Sequence, residues 1–97
     1  MAKRYRPKLV ELEAMQIEEG KTTKADIVEF CPRANVGAPA LPDDEEGMTS
    51  TDLRWIVIPN HDELYDAFYT DWIVKGVTGE FFVREDDTFH ETYEEIT

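Results

Sequence analysis

The longest uninterrupted apolar segment of this 97-residue chain is Trp55-Ile56-Val57-Ile58, only four residues. A helix crossing a bilayer needs about 20 apolar residues, so the sequence predicts no membrane span. What such brevity permits is short, half-buried strands separated by turns. Leu53 to Ile58 is β-branched and aromatic, and Pro59-Asn60 follows it, which predicts a central or half-buried strand ending at the proline. A chain of this length supports one core of ordinary size, so the expectation is a single domain over 1–97.

Other segments fit the same pattern. In Leu9 to Ile17, Val10, Leu12 and Ala14 fall on one side of an extended chain and Glu11 and Glu13 on the other, which predicts a strand. Gly20-Lys21-Thr22 supplies a turn, and Thr23 with Asp26 three residues later forms a capping-box pattern, an Asp in place of the usual Glu. A short helix therefore starts there, with Ile27, Val28, Phe30 and Cys31 as its apolar stripe and Pro32 as its stop. Residues 33–51 contain Gly37, Pro39, Pro42, Gly47 and the like-charge run Asp43-Asp44-Glu45-Glu46, the signature of a mobile acidic loop. In His61 to Thr70, Tyr65, Ala67 and Tyr69 alternate as in a strand, although Leu64 and Phe68 also fit a helical spacing. Trp72-Ile73-Val74 and Phe81-Phe82-Val83 flank Lys75 to Gly79 as a β-hairpin. Phe89, Tyr93 and Ile96 predict an amphipathic C-terminal helix over Thr88 to Thr97. The expected architecture is α+β: a small, mostly antiparallel sheet with a short central helix and a short C-terminal helix.

Charge restricts function. Ten basic residues stand against 22 acidic ones, a formal net charge of -12, which disfavours binding nucleic acid through its phosphates. Lys3, Arg4, Arg6 and Lys8 lie in the first eight positions, so six basic residues face all 22 acidic ones from Leu9 onward. The chain is a basic head on a strongly acidic body. The basic head is followed by Glu11, Glu13, Glu18 and Glu19 instead of an apolar run, so no export signal is predicted. One cysteine, Cys31, cannot close an intramolecular disulfide, and cytoplasm is the default compartment.

The catalytic inventory is thin. His61 and His90 have no Cys or second His at zinc-ligand spacing, and Cys31 occupies a helix position where a small buried residue is expected. Lys75-Gly76-Val77-Thr78-Gly79 has neither the Walker nor the dinucleotide spacing. The acidic runs Asp43 to Glu46 and Glu85-Asp86-Asp87 lack the alternation of a calcium loop. No catalytic residue, metal or cofactor is therefore assigned. Glu80, between Gly79 and an apolar strand, is placed to bond the turn or to pair with Lys75.

The order of the segments resembles a type of small bacteriophage and prophage protein. That type opens "KYRKKPVVVEAIQW", and here Arg4-Tyr5-Arg6-Pro7-Lys8 leads through Val10, Glu13 and Ala14 to Gln16. Its helix and its strand ending in "IP" correspond to Ala25 through Cys31 and Trp55 through Pro59. The block "PGDWIIKGVKGEFYP" is matched by Asp71-Trp72-Ile73-Val74-Lys75-Gly76-Val77-Thr78-Gly79-Glu80-Phe81-Phe82, and the closing "DIFEATYE" by Asp87, Phe89, Thr92, Tyr93 and Glu94. Two departures stand out: Tyr69-Thr70 replaces the Pro-Gly before the Asp, and Glu85-Asp86-Asp87 adds negative charge. The resemblance implies a compact α+β domain expressed by a phage in the host cytoplasm, and transfers no catalytic residue.

The expected function is that of a non-enzymatic phage accessory protein binding a host or phage macromolecule with a basic surface. An inhibitor mimicking nucleic acid toward a nucleic-acid-binding host or defence protein is one form of it. The residues nominated for that contact are Asp43, Asp44, Glu45, Glu46, Tyr65, Tyr69, Glu85, Asp86 and Asp87. The alternative is a small-molecule or nucleotide binder, a sponge for a defence signal, in which Trp55 or Trp72 stacks on a base and Lys75 or the basic head holds phosphate.

Overall fold

A computed structural model describes residues 2–5 and 10–96. The chain is α+β, as expected, but its strands divide between two three-stranded antiparallel sheets. In the first, β1 (Glu13–Gln16), β5 (Trp72–Lys75) and β6 (Phe81–Arg84) lie in the order β1-β5-β6; in the second, β2 (Asn35–Gly37), β3 (Trp55–Asn60) and β4 (Glu63–Ala67) lie in the order β2-β3-β4. The helices are α1 (Lys24–Phe30) and α2 (Asp86–Thr92).

Period-two alternation decides which side chains meet between the sheets. From the first sheet, Met15, Ile73 and Val83 stand in one cross-strand row. From the second, Val36, Ile56 and Ala67 form one row, and Ile58 faces Tyr65 in the next. These residues join Ile17, Ile27, Cys31 and Leu53 in the main core. Helix α1 closes one end: Ile27 is fully buried, and Phe30 meets Phe81 of β6 edge to face at 5.7 Å between centroids.

A seven-residue helix is too short to stand alone, and its first N–H groups show what holds it. The Thr23–Asp26 capping box forms as the sequence predicts, with Thr23 Oγ1 accepting from the Asp26 amide and Asp26 Oδ2 accepting from the Thr23 amide. The Lys24 and Ala25 amides donate to the carbonyls of Ser50 and Met48, at 3.1 and 2.8 Å. Segment 33–51, expected as a loop, thus contains β2 and ends docked on the N-terminus of α1.

Several boundaries differ from the sequence expectation for local reasons. The first strand covers Glu13–Gln16 only; Val10 to Leu12 are outside any strand, and Leu9 lies outside the described residues. Pro59 and Asn60 do not end β3 but continue its ladder opposite Leu64 and Glu63. The two-residue turn His61-Asp62 then reverses the chain, with His61 at φ 53°. The C-terminal helix starts two residues early, because Asp86 and Asp87 suit a first turn, and Tyr93 is its C-cap. Ile96 is therefore not helical, and Thr97 lies outside the described residues.

Between β4 and β5 the chain turns through Phe68-Tyr69-Thr70-Asp71, closed by the Asp71 amide donating to the Phe68 carbonyl at 3.1 Å. Thr70 takes φ 79°, the value demanded at the third residue of a type II turn, where glycine is the natural occupant. A β-branched residue there is strained, by roughly 1–3 kcal/mol. Its position is nonetheless fixed, since the Thr70 amide donates to the Ile17 carbonyl at 2.7 Å and the Thr70 carbonyl accepts from Gln16 Nε2 at 3.0 Å. The expected outcome of Thr70→Gly is a gain of about 1 kcal/mol, a rise in Tm of roughly 4–8 °C in a domain of this size. Thermal unfolding followed by circular dichroism checks it; an unchanged or lowered Tm would contradict the assigned turn strain.

Candidate functional site

The first sheet has a second apolar face, turned away from the main core. Ala14, Val74 and Phe82 form one cross-strand row on it, and Gln16, Trp72 and Arg84 the next. Val74 is buried there although it stands outside the main core. Arg84 lies over the Phe82 ring at 4.5 Å. The cover is α2, whose Phe89 ring stacks on the Trp72 indole at 3.9 Å with an interplanar angle of 4°. Tyr93, one turn on, sits 5.0 Å from Phe89, and His90 stands edge-on to Trp72 at 5.8 Å.

One carboxylate docks this helix. Asp86 Oδ1 accepts from Trp72 Nε1 at 2.9 Å and from Gln16 Nε2 at 3.2 Å, and meets His90 Nε2 at 3.1 Å. It joins β1, β5 and α2 at one oxygen, and charge-assisted bonds of this kind are stronger than neutral ones.

The cover is incomplete. Beyond Phe89 and Tyr93 the face opens into a groove of about 670 Å³. Its apolar side is formed by Leu12, Ala14, Val74, Trp72, Phe89 and Tyr93, and its rim carries Glu11, Glu94 and Glu95, all exposed. Among the described residues, no Lys or Arg lines it. Val10, Leu12 and Ala14 all line this groove, together with Glu11, which the sequence places on the opposite side; the core's share of β1 is Met15.

The nominated residues scatter, and several are committed elsewhere. Of the 22 acidic residues, four are half-buried: Asp44, Asp71, Glu80 and Asp86. All four accept internal hydrogen bonds. Asp44 Oδ2 takes the Thr49 amide at 2.6 Å and Asp71 Oδ2 the Phe68 amide at 3.0 Å. Glu80 takes the Thr78 hydroxyl and not Lys75, and it lies where a Cβ on Gly76 would stand. Tyr69 is half-buried, its hydroxyl donating to the Thr51 carbonyl and accepting the Leu53 amide, both at 3.0 Å. Tyr65 packs on the core and donates to Glu63 at 2.7 Å, an acceptor that pushes its phenol pKa above the ordinary range. Asp44, Asp86, Tyr65 and Tyr69 are thus each engaged in hydrogen bonds within the chain. Asp43, Glu45, Glu46, Glu85 and Asp87 are exposed.

Cys31 is fully buried, and burial pushes its thiol pKa up, away from the thiolate a nucleophile needs. Trp55 is 55% exposed on the outer face of the second sheet; its ring covers Gly37, where any side chain would collide with it. Lys3 and Arg4 of the basic head are exposed, and Arg6 and Lys8 lie outside the described residues. Among the described residues no group of His, Cys, Asp and Glu could hold a metal ion, and no helix is long and apolar enough to cross a membrane.

The aromatic part of the groove is partly legible in sequence, since Phe89 and Tyr93 stand four apart. Glu11 on its rim was not: only the pairing of β1 with β5 brings the N-terminal segment beside the C-terminal residues. No family model, curated protein or solved structure matches this chain.

Two outcomes follow from these contacts. Asp86→Ala is expected to lower stability by about 2 kcal/mol in denaturant unfolding and to shift Trp72 emission to the red as α2 loosens. Asp86→Asn, which retains an accepting oxygen, should lose less. The Thr78 hydroxyl holds the Glu80 carboxyl below the usual carboxylate range. A lowered folded value stabilises the hairpin above the ordinary carboxylate pKa and is lost as pH falls through that lowered value. Thr78→Val is expected to raise the Glu80 value toward the ordinary range in a carbon-13 carboxyl titration, with the backbone amides of Thr78 and Glu80 still holding it down in part.

Proposed function

We propose that this chain is a non-enzymatic bacteriophage accessory protein that acts in the host cytoplasm by binding a host or phage macromolecule with a basic surface. The observation carrying this reading is how the carboxylates are distributed. Eighteen of the 22 are exposed, and among the described residues the only ion pair formed by a Lys or Arg side chain is Arg54–Asp52, at 2.8 Å. A few exposed acids serve the fold, Asp26 in the α1 cap and Glu63 at Tyr65, but most are left for solvent or a partner.

Such a surface raises the encounter rate with a basic partner and fixes orientation more than it adds affinity. It acts over a Debye length, about 8 Å at physiological salt. A nucleic-acid-binding protein of the host, or one of its defence proteins, presents the required basic surface, and inhibition by charge mimicry follows from occupying it. The resemblance through Asp71 to Phe82 supports the phage setting. The nucleotide-binding alternative draws less support, because Glu11, Glu94 and Glu95 border the groove and repel phosphate, while one face of Trp72 is occupied by Phe89.

The test is affinity capture from host lysate with the tagged chain, alongside the variant Asp43→Asn/Glu45→Gln/Glu46→Gln/Glu85→Gln/Asp87→Asn. A specific macromolecular partner retained at low salt, released at high salt and depleted by the variant is the expected outcome. Absence of any such partner at either salt would overturn the proposal.

A further inference from the structure

We infer that the groove between the outer face of the first sheet and α2 seats a lysine- or arginine-bearing segment of the partner protein. The inference rests on the reading of the chain as a binder of basic surfaces and gives that reading a place. The groove combines two features that separately mean little. Its wall is aromatic, the Phe89 ring lying 3.9 Å from Trp72 and 5.0 Å from Tyr93. Its rim is acidic, with Glu11, Glu94 and Glu95 exposed and, among the described residues, no Lys or Arg in the lining.

A cationic side chain satisfies both. The stem of Lys or Arg is apolar and covers aromatic surface while its charged head reaches water or a carboxylate. The same head is attracted by the negative face of an aromatic ring within about 6 Å. Phosphate is repelled by the rim, and a wholly apolar ligand would leave the three carboxylates without a partner. At about 670 Å³ the groove falls within the range of sites that enclose a ligand. It exceeds what one side chain fills, so a short segment with an apolar residue beside the cation fits it better than a free amino acid. Asp86, bonded to Trp72, Gln16 and His90, keeps the aromatic wall in place and is not itself a contact for the partner.

The full chain labelled with nitrogen-15 is titrated at low salt with the blocked hexapeptide Arg-Leu-Arg-Tyr-Arg-Leu, and with the same peptide carrying neutral citrulline at each arginine. The expected result is movement of the Trp72 indole and of the Phe89, Tyr93 and Glu94 amides with the arginine peptide only. Glu94→Gln/Glu95→Gln, which changes exposed rim groups and is checked for folding by the same spectrum, should weaken binding roughly tenfold. Movement confined to Asp43–Glu46 overturns the location while the basic-partner reading stands. Equal movement with the citrulline peptide overturns the role of charge. Groove signals that move with protein concentration before any peptide is added assign the groove to the basic head of a second copy and overturn the inference. No movement at low salt counts against both this inference and the basic-partner reading.

Discussion

The pairing of β1 with β5 is the interaction on which the remaining structure depends. It joins Glu13–Gln16 to Trp72–Lys75 across more than half the chain and makes β5 a central strand between β1 and β6. A central strand alternates its side chains between two sides, and here both are covered. Ile73 enters the main core, and Val74 is buried on the reverse under the α2 side. Without that pairing the strained turn at Thr70 would have no anchor at Ile17, and Gln16 could not reach Asp86. A single registration therefore sets the core, the seat of α2 and the groove beside it. Since loop closure over so long a span is costly before the contacts form, local elements such as the β3–β4 and β5–β6 hairpins are the ones able to form first.

What the sequence made legible is what depends on near neighbours. The Thr23–Asp26 cap, the β5–β6 hairpin and the strand alternation of Tyr65 and Ala67 are all encoded within a few residues, and all are found. Division of the strands into two sheets was not legible, because each strand is short and either edge could have accepted another. The alternation expected from Leu9 to Ile17 holds only where a strand forms, over Glu13–Gln16. Val10, Leu12 and Ala14 all line the groove, but so does Glu11, expected on the opposite side, because the chain before Glu13 is not a strand and does not alternate. Asp86 shows the limit of local sequence: in a run with Glu85 and Asp87 nothing sets it apart from a solvated carboxylate, and only its approach to Trp72 and Gln16 distinguishes it.

The acidic residues thus divide by environment and not by sequence grouping. A carboxylate half-removed from water must recover hydrogen bonds, and Asp44, Asp71, Glu80 and Asp86 each do so from a turn, a loop or an indole. Their neighbours in the same runs remain exposed. An acidic run in a small domain can therefore contain one residue that folds the chain and others free to meet a partner. Neutralising a whole run would confuse the two effects, whereas changing the exposed members alone separates them.

The two tryptophans divide the molecule optically. Trp55 lies over half exposed against Gly37 on the second sheet, while Trp72 is stacked by Phe89 and bonded by Asp86 on the first. Each sheet consequently carries its own fluorophore, in surroundings different enough to emit differently. With one tryptophan replaced by phenylalanine at a time, the loss of each sheet can be followed separately. Coincident transitions would show that the shared core makes the two sheets one cooperative unit, and separate ones would show that α2 and its sheet open first.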